Sequence, residues 1–437
     1  MSHSERNLSM TFRWITVNLA WGKIGDADLD HLTQRITAVF GIVVMLGIAW
    51  LLSSARNRFP WRIALWGLAI QFALGLVFLG TSMGQRFFDG LESGVTGLQG
   101  FIDKGSAFVF GSLMETGFSF ALNVLPGIIV MGALFQIFYH LGIAQIIVRA
   151  VARLMSRAMG LSAAESLAAV ANIFVGQTEA PLMVKPYISR MTESELFALM
   201  ATGMATVAGS VMIAYTQFIG ADYAGHLVTA SLMSAPAALV IAKIMVPETR
   251  TPDTFGTDHA DIPRTSVNVI DAAADGALAA MRLAANILVL LIAFVALIEI
   301  INALIGSAGG LFGVEGLTLQ GILGWILAPL AWCMGIPWEE ARAVGSLIGM
   351  KTVVNEFLAY QDLGVLMANE GISARSAAIT SYALCGFANF SSVAILIGGI
   401  GGMAPDRKQD VARLGIRAIV AGTLATQLTG CVAAILL

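Results

Sequence analysis

Charge is what this sequence has least of. Only 12% of its 437 residues are Asp, Glu, Lys or Arg, against 57% hydrophobic types. A soluble domain runs nearer to about a quarter charged, so too few charges are present to coat a water-facing body of this size. Histidine and cysteine are scarce too. The five histidines, His3, His31, His140, His226 and His259, lie in tails, loops or span ends. There is no His-Glu-x-x-His helix, and none of these imidazoles can pair with a nucleophile at membrane depth. We therefore expect no enzyme. Cys333, Cys385 and Cys431 stand in apolar surroundings without metal-ligand spacing and read as inert buried thiols. Met1–Asp30 has no short apolar core followed by a small-residue cleavage site and reads as an extramembrane tail. The net charge of −3 marks no basic surface, and no nucleic-acid partner is expected.

What is abundant is long apolar sequence. Thr37–Leu52, Ile63–Met83, Phe118–Ile143, Leu227–Val246, Leu283–Ile305 and Ile416–Leu437 are nearly free of charge. About 20 such residues cross a bilayer as a helix, so the partner of this surface is lipid. Two stretches differ. Ser162–Tyr187 is broken at Gly176-Gln177-Thr178-Glu179-Ala180-Pro181, and Val344–Tyr360 carries Lys351, Asn355 and Glu356. A charge at mid-bilayer costs at least about 2.5–3.5 kcal/mol, and broken backbone at that depth must face protein or water. Both segments read as re-entrant hairpins.

The expected fold is an all-α polytopic membrane protein with eight transmembrane helices, near 37–55, 63–83, 118–141, 195–219, 227–246, 283–305, 373–400 and 413–436. Two opposed re-entrant hairpins and interfacial amphipathic helices join them. Arg149, Arg153 and Arg157 share one face of a basic helix lying on the headgroups. Sixteen Lys and Arg residues fall on one side of this arrangement. Arg86, Lys104, Arg342, Lys351 and Arg375 fall on the other. The richer side is then cytoplasmic and both termini lie outside. Asn172 precedes Thr206, and Asn355 precedes Asn389, by the same interval in opposed halves, as an inverted repeat would leave. By region, we expect a tail over 1–36, scaffold helices over 37–141 and a first transport half over 142–226. Further scaffold follows over 227–338, then a second transport half with the terminal helix over 339–437.

The polar residues forced to membrane depth define a ligand. The first hairpin offers Asn172, Gln177, Thr178 and Glu179, and the following span Thr202, Thr206 and Ser210. The second hairpin offers Thr352, Asn355 and Glu356, and its following span Asn389, Ser391 and Ser392. Carboxylate and amide acceptors suit hydroxyls, and Gln, Thr and Asn suit the donor and acceptor edges of a heterocycle. Phe387 and Phe390 offer stacking faces. No arginine stands among them, which argues against a phosphate or carboxylate ligand. Unwound carbonyls at the hairpin tips suit a sodium ion.

Three motifs carry a family resemblance. They are Gly176-Gln177-Thr178-Glu179-Ala180-Pro181-Leu182 with Pro186-Tyr187, then Asn355-Glu356-Phe357-Leu358-Ala359-Tyr360, then Cys385-Gly386-Phe387-Ala388-Asn389-Phe390-Ser391-Ser392. In this order and spacing the chain resembles the concentrative nucleoside transporters from about residue 37 onward. The resemblance implies a homotrimer in a bacterial inner membrane that takes up nucleosides such as uridine or adenosine with sodium. It also implies that a transport domain moves against a trimerisation scaffold like an elevator. Gln177 and Thr178 would contact the base, with Glu179 nearby through water and Val211 packed on it. Glu356, Asn389 and Ser392 would bind the ribose, and Phe387 would line the pocket. Sodium would take the side chains of Asn172 and Thr206 and the carbonyls of Val175 and Val207. Members commonly have serine where Thr206 stands; the oxygen ligand is kept. The alternatives are proton coupling through Glu179 or Glu356, and a related uncharged solute such as a nucleobase or a sugar.

Overall fold

The computed structural model describes residues 26–115, 117, 119–256 and 266–437; most of the expected tail lies outside them. The described residues are helical or irregular throughout. Seven helices among them are long and apolar enough to cross a membrane. Seven of the eight expected spans fall on these; 373–400 falls on two shorter helices, Ala374–Leu384 and Phe390–Met403.

The first part of the chain holds α1 (Asp26–Leu51), α2 (Trp61–Gly80) and the amphipathic α3 (Ser82–Phe110). From there the same order of elements occurs twice. The first set is α4 (Leu125–His140), α5 (Ile143–Met159), a hairpin of α6 (Ala163–Ala171) with the short α7 (Ala180–Met183) and α8 (Lys185–Ile188), an interrupted span of α9 (Glu193–Ala205) and α10 (Gly209–Ile219), and α11 (Ala224–Met245). The second set is α12 (Val269–Leu311), α13 (Leu319–Cys333), a hairpin of α14 (Trp338–Val353) and α15 (Glu356–Ala368), an interrupted span of α16 (Ala374–Leu384) and α17 (Phe390–Met403), and α18 (Lys408–Leu436). Two helices, a hairpin, an interrupted span and an unbroken span: this repeated order is what the matched spacing of the polar residues anticipates.

Two expectations need correction. The spans 195–219 and 373–400 are not continuous: the first breaks at Thr206–Ala208 and the second at Cys385–Asn389. Lys351, counted among the outer-side charges, is fully buried and belongs to no loop.

Burial sorts the helices into two sets. The apolar windows of Glu193–Ile219 and Ala221–Met245 are 89% buried within the chain, whereas that of Val269–Leu311 is 6% buried. The inner helices owe their burial to small residues, and the outer ones present Leu, Ile and Val to lipid. The two outer helices α4 and α12 meet along a seam of small side chains. Ala272, Gly276, Ala280 and Ala284 recur every fourth residue and are buried. A Cβ on Gly276 would collide with the backbone of Gly132. Close backbone approach of this kind is how helices associate where lipid removes the hydrophobic drive.

The base of the first hairpin is held by charge. Ser162 caps α6 and Thr192 caps α9, each in a capping box with the glutamate three residues on. The boxes are joined: the Ser162 hydroxyl donates to Glu195 Oε1 at 2.6 Å. Lys243, near the end of α11, lies 2.6 Å from Glu165, both side chains being 2% exposed. It also donates to Ser194 Oγ at 3.0 Å, and its second carboxylate, Glu248, accepts from Thr192. The start of the hairpin, the start of the interrupted span and the end of α11 are thus one unit. Removing one partner of a buried ion pair strands the other charge. We expect Lys243→Met to destabilise the purified protein by roughly 3–5 kcal/mol. The double variant Lys243→Met/Glu165→Gln should recover much of that loss. Reversible unfolding in detergent measures both; an additive double variant would deny the pairing.

Candidate functional site

Four interruptions in helical structure meet at one place. Each leaves unpaired backbone groups inside the protein, and the sequence supplies local partners. Asn355 caps α15, accepting from Leu358 N at 3.1 Å. Asn389 caps α17, accepting from Ser392 N at 2.8 Å and from the Ser391 hydroxyl at 2.7 Å. At the first tip Gly176 has φ +89°, and a Cβ there would approach the Ala208 side chain to 2.8 Å. Only glycine suits both the left-handed backbone and that contact.

The second tip points Glu356, the first residue of α15, into the assembly. Its Oε1 accepts from Tyr215 Oη at 3.1 Å and its Oε2 from Asn389 Nδ2 at 3.2 Å. The first tip sends Gln177 Nε2 to Ser392 Oγ at 3.1 Å. Each hairpin therefore bonds to the interrupted span of the other half. Gln177 Oε1 is buried without a donor, an acceptor left over for a ligand.

The cavity between these groups is lined by Gln177, Thr178, Glu179, Glu356, Phe387, Asn389 and Ser392. Thr178 and Glu179 are open to it, whereas Glu356 and Asn389 show only their edges. Of the expected site residues, Val211 is not brought to the cavity. It is fully buried three residues beyond Ala208, which takes the lining position. Two residues were missed. Tyr215 is fully buried and stacks on Tyr360 with ring centroids 4.4 Å apart; as an aromatic in an apolar span it carries no sequence signal beyond packing. Asn286 lines the cavity from α12, the wall opposite the hairpins. Its signal was a single amide in the apolar run Leu283–Ile298.

Beside the cavity is a set of oxygen atoms. Asn172 is fully buried; its Nδ2 donates to Ala168 O at 3.0 Å and to Thr202 Oγ1 at 3.3 Å. Its Oδ1 has no donor. The Thr206 hydroxyl lies 3.4 Å from Asn172 O and donates to Thr202 O at 2.9 Å. The Val207 carbonyl accepts from Ser231 at 3.5 Å, and Gly209 N bonds Phe174 O at 3.1 Å, pinning the break to the tip next to Val175. These donors are neutral and hard, as an alkali cation requires. No group of three or more His, Cys, Asp or Glu among the described residues is placed to hold a metal. A Gly-x-Ser-x-Gly string does occur, at Gly80–Gly84. Ser82 there opens a helix capped by Thr81, directly after another helix, so it is no strand-to-helix nucleophile elbow.

Three family models match in tandem. They are the N-terminus of a Na+ dependent nucleoside transporter over residues 40–113, nucleoside recognition over 121–222, and the C-terminus of a Na+ dependent nucleoside transporter over 226–434. An uncharacterized transporter of Bacillus subtilis, YutK, is 44% identical over 90% of this chain and 98% of its own length. Human solute carrier family 28 member 3 is 41% identical over 97% of this chain, which spans 63% of that longer relative. CNTnw, solved in an inward-facing substrate-bound state, superposes with a TM-score of 0.85 at 42% identity, covering 92% of this chain and 98% of that one. A variant of CNTnw in an outward-facing state gives 0.87 over 93% and 98%. These relatives are transporters rather than enzymes, and they match along almost the whole chain. The chain thus belongs to the concentrative, Na+ dependent nucleoside transporter family and is a multi-pass membrane protein.

Proposed function

We propose that this chain is a secondary active symporter that brings nucleosides across a bacterial inner membrane on a sodium gradient. The observation that carries the reading is the crossed pair of contacts, Gln177 to Ser392 and Tyr215 to Glu356, beside the donorless Asn172 Oδ1. One pocket thereby joins both hairpin tips, with a set of oxygen ligands for a cation beside it.

In this reading Gln177 and Thr178 meet the base, with Glu179 a water away. Glu356, Asn389 and Ser392 take the ribose hydroxyls, Phe387 closes the wall and Val211 supports the base through Ala208. Sodium is held by Asn172, Thr206 and the carbonyls of Val175 and Val207. Coupling follows from adjacency. The Cβ position of Gly203 lies 3.0 Å from Gln177 Cβ and 3.7 Å from Asn172 Oδ1. A cation ordering Asn172 therefore orders the turn that carries Gln177. Linkage makes the effect reciprocal: nucleoside bound at Gln177 strengthens the hold on the cation. The polar groups on both tips leave no fixed wall between the two sides of the membrane. Because Lys243 ties α11 to the base of the first hairpin, α11 goes with the inner set rather than with the scaffold expected over 227–338. That set, with both hairpins, then moves as a body against α4 and α12, which form the static part of a homotrimer. Both chain termini face away from the cytoplasm.

Three measurements test this. Glu356→Gln and Asn389→Ala should each lower uridine affinity about ten- to a hundredfold, since hydrogen bonds to a charged group contribute about 1.5–3 kcal/mol. Calorimetry on folded protein reads this, and wild-type affinity in either variant removes the ribose assignment. For the ion, Asn172→Ala should raise the sodium concentration giving half-maximal uptake in proteoliposomes. Uptake that runs equally in sodium-free buffer and follows a proton gradient would transfer the coupling role to a carboxylate. For the motion, a cysteine replacing Thr178 should be labelled from either side of the membrane, the ratio shifting when uridine and sodium are added. Labelling from one side under every condition leaves a local hairpin gate instead.

A further inference from the structure

One buried cation has no part in this scheme. Lys351 is 0% exposed, in the last turn of α14. Its ammonium donates to the Ala383 carbonyl at 2.9 Å and to Thr426 Oγ1 at 3.0 Å. Among the described residues no carboxylate stands at ion-pair distance from it. The other deeply buried lysine, Lys243, has two. Glu356, five residues on, attracts it from beyond ion-pair distance; a charge taken out of water without a close pair is costly, so its direct partners need an account.

The internal repeat supplies one. In each half, the end of the first hairpin helix meets the end of the first segment of the interrupted span. In the first half Asn172, directly after α6, meets Thr202 and Thr206 at the end of α9. Ser231 of α11 closes the group by donating to Val207 O. In the second half Lys351, at the end of α14, meets Ala383 at the end of α16, and Thr426 of α18 closes the group. The elements correspond one to one. The last carbonyls of a helix carry its negative partial charge and lack intrahelical donors. Both interrupted spans therefore present a negative end inside the protein. In the first half the neighbouring Asn172 Oδ1 has no donor. In the second, an ammonium is already in place.

We propose that Lys351 is the tethered cation of the second half. It occupies from within the chain the role that the oxygen set around Asn172 leaves to an ion from solution. It is a positioning residue. By holding the end of α16 it fixes the break that carries Asn389, and from α14 it fixes the tip that carries Glu356, five residues on. The inference rests on the reading that the Asn172 set takes a cation.

The test is replacement of the tethered charge by a free one. Purified Lys351→Ala in detergent, without nucleoside, should unfold at a lower temperature than wild type. Methylammonium chloride should restore the midpoint saturably, while tetramethylammonium, too large and without N–H donors, should not. Wild type and Lys351→Arg should not respond. In the same variant uridine affinity should fall at least tenfold, recover with methylammonium, and depend more steeply on sodium than in wild type. A loss that no small cation restores, or a variant with wild-type midpoint and affinity, overturns the proposal. If Lys351→Ala does not fold, Thr426→Val keeps the lysine and removes one partner; unchanged uridine affinity there overturns it equally. Sodium-independent uptake by wild type would overturn the ion reading and the parallel drawn from it, whereas the unfolding experiment, which uses neither nucleoside nor transport, tests the hold of Lys351 on α16 by itself.

Discussion

An interrupted helix inside a membrane has to find hydrogen-bond partners from its own protein, and everything at the centre of this molecule follows from that. Lipid satisfies no N–H or C=O group. Four interruptions brought together can serve one another and their neighbours, whereas one alone cannot. The caps at Asn355 and Asn389, the bond from Gly209 N to Phe174 O and the lysine on Ala383 O are four local answers to this one demand. The groups left over, Gln177 Oε1 and Asn172 Oδ1, are buried without a donor, and the proposed function gives them to a ligand. Binding capacity here is what remains after the backbone has been satisfied.

The two halves share a plan and differ in chemistry. The first hairpin has short, irregular helices after its tip, a glycine in the left-handed region and open polar side chains. The second has two full helices, and its carboxylate is held from both sides by Tyr215 and Asn389. The base of the first hairpin is fixed by a buried ion pair joined to two capping boxes. At the base of the second, Glu340 of α14 accepts from Ser373 N at 3.0 Å and from its hydroxyl at 3.1 Å, and α13 and α14 pack together, bent by 116° at Met334–Pro337.

Much of this was legible in the sequence, for reasons that can be named. Glu179 and Glu356 stand out because a carboxylate in an apolar run is expensive, and the glycine and proline around Gln177 mark a helix that cannot continue. The capping boxes are legible as Ser162-x-x-Glu165 and Thr192-x-x-Glu195, although their cross-link through Glu195 and Lys243 is tertiary and leaves no local trace. The breaks at Thr206–Ala208 and Cys385–Asn389 were not legible. At the first the residues are small or apolar, so hydropathy runs through it and only Gly203 and Gly209 hint at a weak point; at the second Asn389 stood out as a ligand group, not as the cap that restarts a helix. Tyr215 and Lys351 each have a commoner meaning, core aromatic and interfacial lysine. Only coordinates separate those meanings from a carboxylate's partner and a buried ammonium.

The crossed contacts at the tips have a consequence for how the chain is made. Gln177 and Ser392 are 215 residues apart, and Tyr215 and Glu356 are 141 apart. A ribosome adding about 5–20 residues per second needs some 10–40 seconds to supply the second member of the wider pair. During that interval the first hairpin is complete in sequence while its polar tip lacks the partner it will finally use. The nascent half has to keep Asn172, Gln177 and Glu179 near water or in the insertion machinery, because lipid would leave them unsatisfied. Neither half can hold its tip in final form alone, so the binding pocket is assembled last, and a chain stopped before Ser392 would present to quality control a polar tip with no partner.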